Sequence, residues 1–335
     1  MAPRRPPLRA RMWGARLPVT LLPLLLFAAC PEETPEAEAP LVRGEMPAFS
    51  AQAPIFRRLT YTQYVNSVGA LFGTGLVLPV ALEPDTRVEG LYAVGASITS
   101  FSSLGVERLE STAFDIAEQV MRDDARRAAV VTCTPSATVD ETCARTVLGT
   151  LGARAWRRPL EIAELDRLVA IATAAATALE DFDRGIEFAM AAMLQSPHFL
   201  FIPEFGEENP EVPGTRRYSG YEMASRLSYF LWNTMPDDEL FAAAAAGSLV
   251  TEAGIAEQVD RMLADPRSRA GLRAFLTDML LLDELDQLTK DPLVYTFMSE
   301  GLGESAREQT LSDAERLVFD QDGDFRTFLT GTETH

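Results

Sequence analysis

His198 lies in LQSPHFLFIPE (194–204), between Pro197 and Pro203, and it is the only histidine before the final residue, His335. An imidazole that titrates near neutrality is the usual general base, and a base of this kind needs a partner carboxylate and a nucleophile close in space. Ser196 and Glu204 are near in sequence, but neighbours along a chain do not make a triad, and no GxSxG elbow occurs. Zinc or non-haem iron sites built on two or more histidines are excluded by count. All-carboxylate sites stay open, although no Glu-x-x-His pair appears. The plainer reading makes His198 a helix-end residue whose ring N–H caps the chain, and the sequence favours it over catalysis.

Two other groups have chemistry within reach. Arg154, Arg157 and Arg158 surround Trp156, which suits an anion or sugar clamp of guanidinium forks beside an aromatic face. Arginines at a helix C-terminus also complement the dipole and pair with acids, and that structural reading leads. Ser225, Arg226 and the run Tyr229, Phe230, Leu231, Trp232 divide the same way, into a buried helix face or a carbohydrate platform. In DQDGDFRTFLTGTE (320–333), Asp320, Asp322 and Asp324 alternate as calcium ligands do. Phe325 and Gly331 nevertheless stand where an EF-hand loop wants Gly and Glu, so a turn into a helix explains the acids equally well. The acids of PDD (236–238) read as a helix N-terminus rather than a carboxylate dyad.

The first 29 residues hold five arginines, no acid, and the apolar stretch LPVTLLPLLLFAA, too short to span a bilayer as a helix. LFAAC ends this segment, so residues 1–29 read as a signal peptide of lipoprotein type, with Cys30 the lipidated residue. A plain secretory signal is the alternative. The expected location is the cell envelope, anchored by lipid and facing the periplasm or the exterior. Removing five arginines takes the net charge from −19 to −24. A surface that acidic repels nucleic acid and anionic headgroups, so lipid rather than basic side chains would hold the chain at a membrane. Cys133 and Cys143 then form an even pair across a polar, proline-containing stretch, as a disulfide would in an exported protein; two thiolates without histidine partners make a poor metal site.

These groups must be positioned by helices. The Pro-, Glu- and Ala-rich residues 30–53 read as a disordered tether. Thr60 and Gln63 have capping-box spacing ahead of Tyr64, Val68 and Leu71. A long irregular passage, 74–105, precedes a helix from Val106 to about 126. Helical patterns follow over 140–155, 162–179 and 182–195, then a polar linker, 207–217. Further helices are expected at 252–264, 267–285, 303–320 and 324–330, after two that divide at Pro236. No alternating strand pairs appear. The expected architecture is all-α, with a first helical region over 54–206, its long irregular loop included, and a second module over 218–335.

Five blocks occur in one order: RRLTYTQYVNSVGALFG (57–73), CARTVLGTLGARAWRRPLEIAEL (143–165), MLQSPHFLFIPEFG (193–206), MASRLSYFLWNTMPDDEL (223–240) and RMLADPRSR (261–269). Together they resemble the planctomycete cytochrome-associated PSD domains of unknown function, helical extracytoplasmic modules also abundant in myxobacteria. The resemblance places two family modules in the first region and a third, truncated at its C-terminus, in the second. It implies a further module with a CxxCH haem-attachment motif, which this sequence does not contain. Haem c is therefore expected only in a missing C-terminal region or a partner, and no cofactor within these residues. Glu161 stands where relatives carry a capping Thr or Ser. The function implied is that of a scaffold or docking unit for a cytochrome or other envelope partner. The alternatives are a hydrolase acting on extracellular polymer through carboxylates, and a non-catalytic carbohydrate- or surface-binding module built on Trp156 and Trp232.

Overall fold

The computed structural model describes residues 55–78, 83–291, 293–297, 301–321 and 323–330. The signal, Cys30 and the tether lie outside the described residues, as does Asp322.

The chain begins with a short strand, β1 (Ile55–Arg58), and then α1 (Tyr61–Phe72). The expected capping box is present: the Thr60 hydroxyl accepts from the Gln63 N–H, and the Gln63 side chain accepts from the Thr60 N–H. The irregular passage is not wholly irregular, since it contains α2 (Tyr92–Ile98). The next helix, α3 (Ser103–Arg122), starts before Val106 because the Ser102 hydroxyl accepts from the Gly105 N–H and caps it. It also ends earlier than expected. The Asp123 carboxylate accepts from the N–H groups of Ala125 and Arg126 and starts a separate helix, α4 (Asp124–Val130). The disulfide joins Cys133 to Cys143 with Cα atoms 5.8 Å apart, closing the loop before α5 (Glu141–Ala155).

Helices α6 (Ile162–Leu179) and α7 (Phe182–Gln195) form an antiparallel hairpin. A Cβ at Gly185 would meet the Ala172 carbonyl at 2.5 Å, so glycine is what lets the two backbones approach. Along α7, Ile186, Ala189, Met190 and Met193 are buried at helical spacing. Phe188 meets Phe114 of α3 edge-on with centroids 5.2 Å apart. These helices share one core with Leu59, Val68, Ile116, Leu148, Phe199 and Ile202.

The expectation of no strand pairs is corrected here. After the single turn α8 (Pro197–Leu200), residues Phe201–Glu204 form β2 and pair antiparallel with β1, Arg57 opposite Ile202. The polar linker carries a second small hairpin, β3 (Glu207–Glu208) with β4 (Arg216–Arg217). Both sheets are two-stranded, and the fold remains all-α.

The second region opens with α9 (Gly220–Leu231), set by a Ser219–Glu222 capping box, and α10 (Asp238–Ala245). A 3₁₀ turn at Ser248–Val250 leads to α11 (Glu252–Ala264) and α12 (Arg267–Met279). The helix expected to run to 285 stops sooner, because the chain turns through a left-handed Leu281 into a 3₁₀ stretch, Leu282–Gln287. Helix α13 (Leu302–Glu315) passes into a π turn at Arg316–Asp320, and α14 (Phe325–Thr330) follows. Two small apolar clusters hold this region, one around Trp232, Leu240 and Met262, the other around Leu276 and Leu311. Tyr229 and Met235 belong instead to the first core. Among the described residues no helix is long and apolar enough to cross a membrane.

Candidate functional site

The expected residues His198, Trp156, Arg157 and Arg158 do come together, at the end of α5 and the start of α8. The local backbone divides the two arginines. Arg157 lies in the left-handed region, φ 59°, which turns its side chain inward while Arg158 leads outward to α6. Left-handed backbone is unfavourable for a residue with a Cβ, so its surroundings must hold it there.

They do so through carbonyls. The Arg157 guanidinium, on a residue 2% exposed, donates to the carbonyl of His198 at 2.8 Å, of Phe201 at 2.6 Å, of Phe199 at 3.2 Å and of Ala155 at 3.1 Å. It lies 5.7 Å from the Tyr229 ring, and Nη1 is 3.5 Å from the Tyr229 hydroxyl. That hydroxyl is 2.8 Å from the Ser67 Oγ, which donates to the Gln63 carbonyl in α1. One interior arginine thus connects α5, the α8–β2 segment, α9 and α1. A buried guanidinium is tolerated because the protons of its two terminal nitrogens meet oriented dipoles in place of water, although the Nε–H has no partner.

Arg158 forms a bidentate pair with Glu164 in the first turn of α6, at 2.7 and 2.9 Å. The Glu161 N–H also donates to this carboxylate, at 2.8 Å, so α6 is capped from inside by Glu164. The hydrogen bonds from Arg158 are the main reason that Glu164 is held at about 2, with the Glu161 N–H and the Arg158 charge helping against burial. His198 completes the cluster. Its Nδ1 lies 3.3 Å from an Arg158 nitrogen that can only donate, so Nδ1 accepts and the ring proton sits on Nε2, 3.3 Å from Glu164 Oε1. Burial, then the Arg158 charge, lowers the His198 pKa and keeps the ring neutral. The ring packs on Trp156, centroids 4.8 Å apart, and the indole N–H donates to the Met193 carbonyl.

Chemically this is a brace. A general base needs a free lone pair, and the Nδ1 lone pair faces a guanidinium. The Ser196 hydroxyl accepts from the His198 backbone N–H and caps α8; Glu204 pairs with Arg226 at 3.0 Å. The capping role expected for the His198 ring is also corrected, because the ring reaches Glu164 and Arg158 while Ser196 does the capping. Nor does His198 offer a free nitrogen to a haem iron, since both imidazole nitrogens are engaged.

The ligand-contact reading fails on burial. Trp156 is 8% exposed and Trp232 2%, so neither offers a platform to a sugar or a surface. The Trp232 indole N–H donates to the Met262 carbonyl, with the Arg267 guanidinium 3.5 Å from the ring centroid. Arg157 faces carbonyls rather than an incoming anion, and Arg154 lies on the surface, 3.7 Å from Asp238. Asp237 caps α10 at the Leu240 N–H and binds Arg261 and Arg267, in keeping with a helix N-terminus. The calcium reading finds no support in the described acids: Asp320 pairs with Arg269 and Asp324 with Arg326. No group of three metal-ligating side chains occurs among the described residues.

Sequence reasoning missed Glu164 as the partner of His198, and Tyr229 and Ser67 as partners of Arg157. The WRRPLE stretch was the available signal, since a proline pushes the residue before it to extended backbone and ends the helix there.

Three family models match successive stretches: PSD3, protein of unknown function DUF1587, at 57–122; PSD5, DUF1595, at 143–204; and PSD4, DUF1592, at 218–335. No curated protein and no solved structure matches the chain. Arg157 in the PSD5 segment, Tyr229 in PSD4 and Ser67 in PSD3 meet where all three adjoin, and the chain belongs to the planctomycete cytochrome-associated PSD domains of unknown function.

Proposed function

We propose that this chain is a lipid-anchored envelope protein whose three helical domains act as a rigid docking scaffold in a cytochrome-associated assembly, with haem carried by a partner or by a further module. One observation carries the reading. The side chains best suited to chemistry, His198, Glu164, Arg157 and Arg158, are engaged in bracing helices and domains against one another. Arrangements of that kind favour a fixed shape over turnover, because a group committed to an internal ion pair must break it before it can move a proton. The family, associated with cytochromes, supplies the class of partner.

The test is purification of the chain from its own membranes in mild detergent. A c-type Soret band and covalent haem stain that co-elute with it are expected; a haem-free complex overturns the partner assignment. Anchoring has a separate check. Cys30→Ser should move the protein from the membrane to the soluble fraction, and unchanged retention rejects the lipoprotein reading.

A further inference from the structure

A small pocket lies between β1, α1 and the passage that precedes α3, lined among others by Arg58, Thr60, Tyr64, Glu83, Asp85 and Phe101. Its free volume of about 10 Å³ is enough for one oxygen-sized group. Two of its lining side chains are buried with polar atoms unpaired. Arg58 is 2% exposed; its Nη2 donates to Asp85 at 2.9 Å and its guanidinium stacks 5.0 Å from Phe101, yet its Nε–H meets no acceptor. Tyr64 is 3% exposed, packs edge-on against Phe199, and its hydroxyl has no partner. Buried polar groups are nearly always hydrogen-bonded, and two such orphans lining one pocket point to a missing ligand atom.

The chemistry of that atom follows from its neighbours. Arg58 Nε has only a proton to give, so the ligand must accept, which rules out a cation. Asp85 already neutralises Arg58 and also accepts from the Tyr61 N–H at 2.7 Å; Glu83 adds a second carboxylate, held by the Ser102 N–H. Two carboxylates at so small a pocket repel an anion. A neutral oxygen remains. We propose that this pocket binds one neutral hydroxyl oxygen, of a water molecule or of a small polyol, which accepts from Arg58 Nε–H and is hydrogen-bonded to the Tyr64 hydroxyl. The site is independent of the scaffold reading, since it needs no partner protein.

Crystals of the full chain grown without polyol decide the first arm. An ordered oxygen within hydrogen-bond distance of both Arg58 Nε and Tyr64 Oη is expected, and an empty pocket overturns the proposal. Saturation-transfer NMR with glycerol distinguishes the two sources. A saturable glycerol signal, about tenfold weaker in Tyr64→Phe, assigns the site to a polyol hydroxyl. Equal signals from both proteins, with the oxygen present in the crystal, assign it to water. Arg58→Lys, which keeps the charge towards Asp85 but removes the Nε–H, serves as the second variant if Tyr64→Phe does not fold.

Discussion

The two halves of this molecule solve the same problem with different materials. From Leu59 to Ile202 the helices share one continuous apolar core, and the buried Arg157 within it is held by backbone carbonyls at both terminal nitrogens. From Tyr218 onward the apolar clusters are small and separate, and ion pairs connect the helices. Asp237 ties Arg261 and Arg267 across Trp232; Arg273 reaches Glu308 and Glu315; Arg269 reaches Asp320; Arg307 reaches Asp286. Charge screening by salt does not weaken an apolar core, whereas it does weaken half-exposed ion pairs. The first half should therefore behave as a rigid platform, and the second as the part whose stability follows ionic strength.

Arg157→Met gives the largest expected effect. It leaves several buried carbonyls unpaired and removes the link to Tyr229, and should destabilise the first half by about 3–5 kcal/mol in urea unfolding. A loss below about 1 kcal/mol would show that the carbonyls find other donors and that the arginine is not the central tie. Second comes the disulfide: replacing Cys133 and Cys143 with Ser should lower stability by about 2–3 kcal/mol, read from the shift in urea midpoint. Equal midpoints would mean that the loop is ordered without it.

Asp237→Asn should cost about 2 kcal/mol, and it should do so in the second half alone. Hydrogen-exchange protection of α10–α12 measures this, and a loss of protection in α5–α7 instead would break the contrast between the halves. The pH dependence does not divide the halves in this way, because each carries a depressed carboxyl. Burial alone would raise Asp237, but hydrogen bonds from Arg261, the Leu240 N–H and Arg267 outweigh it and hold the carboxyl at about 2, against an ordinary 3.8. A depressed carboxyl stabilises the fold above its unfolded value and loses that contribution as pH falls. Asp237 thus weakens the second half between pH 3.8 and 2, while Glu164, ordinarily 4.5 and also held at about 2, acts on the first. Glu164→Gln should flatten the acid limb of thermal unfolding; an unchanged limb would rule out its brace as the acid-labile element. His198 gives the smallest effect. Its pKa is lowered, so its contribution is present above the ordinary 6.5 and fades below it, and His198→Gln should change stability by less than about 1 kcal/mol at pH 8. Midpoints measured at pH 8 and pH 5 test this, and a larger gap at pH 8 would give the ring a role beyond the contacts with Glu164, Arg158 and Trp156.

Local signals made the helices legible. Thr60 with Gln63 marks one start, and Pro159 marks the break between α5 and α6. The strands were not legible: β1 and β2 have four residues each and lie at opposite ends of the first region, and β3 and β4 have only two each, too few for any periodicity. The candidate site was half legible. Its residue types stood out around WRRPLE and SPHF, but nothing local could reveal that Arg157 points inward and Arg158 outward. That depends on one left-handed residue, which sequence pattern gives no reason to place at an arginine. Glu164 sits where any first-turn acid would, and only the fold brings His198 to it.

The β1–β2 pairing has a consequence for how the protein is made. Ile55–Arg58 leaves the ribosome well before Phe201–Glu204, with eight helices between them. The helices can form from local contacts, but the strand that closes the first region must wait, unpaired, for its partner. Assembly of this half is thus governed by the last few residues of the region, and a chain cut short of residue 204 would leave an exposed edge ready to pair with the wrong chain.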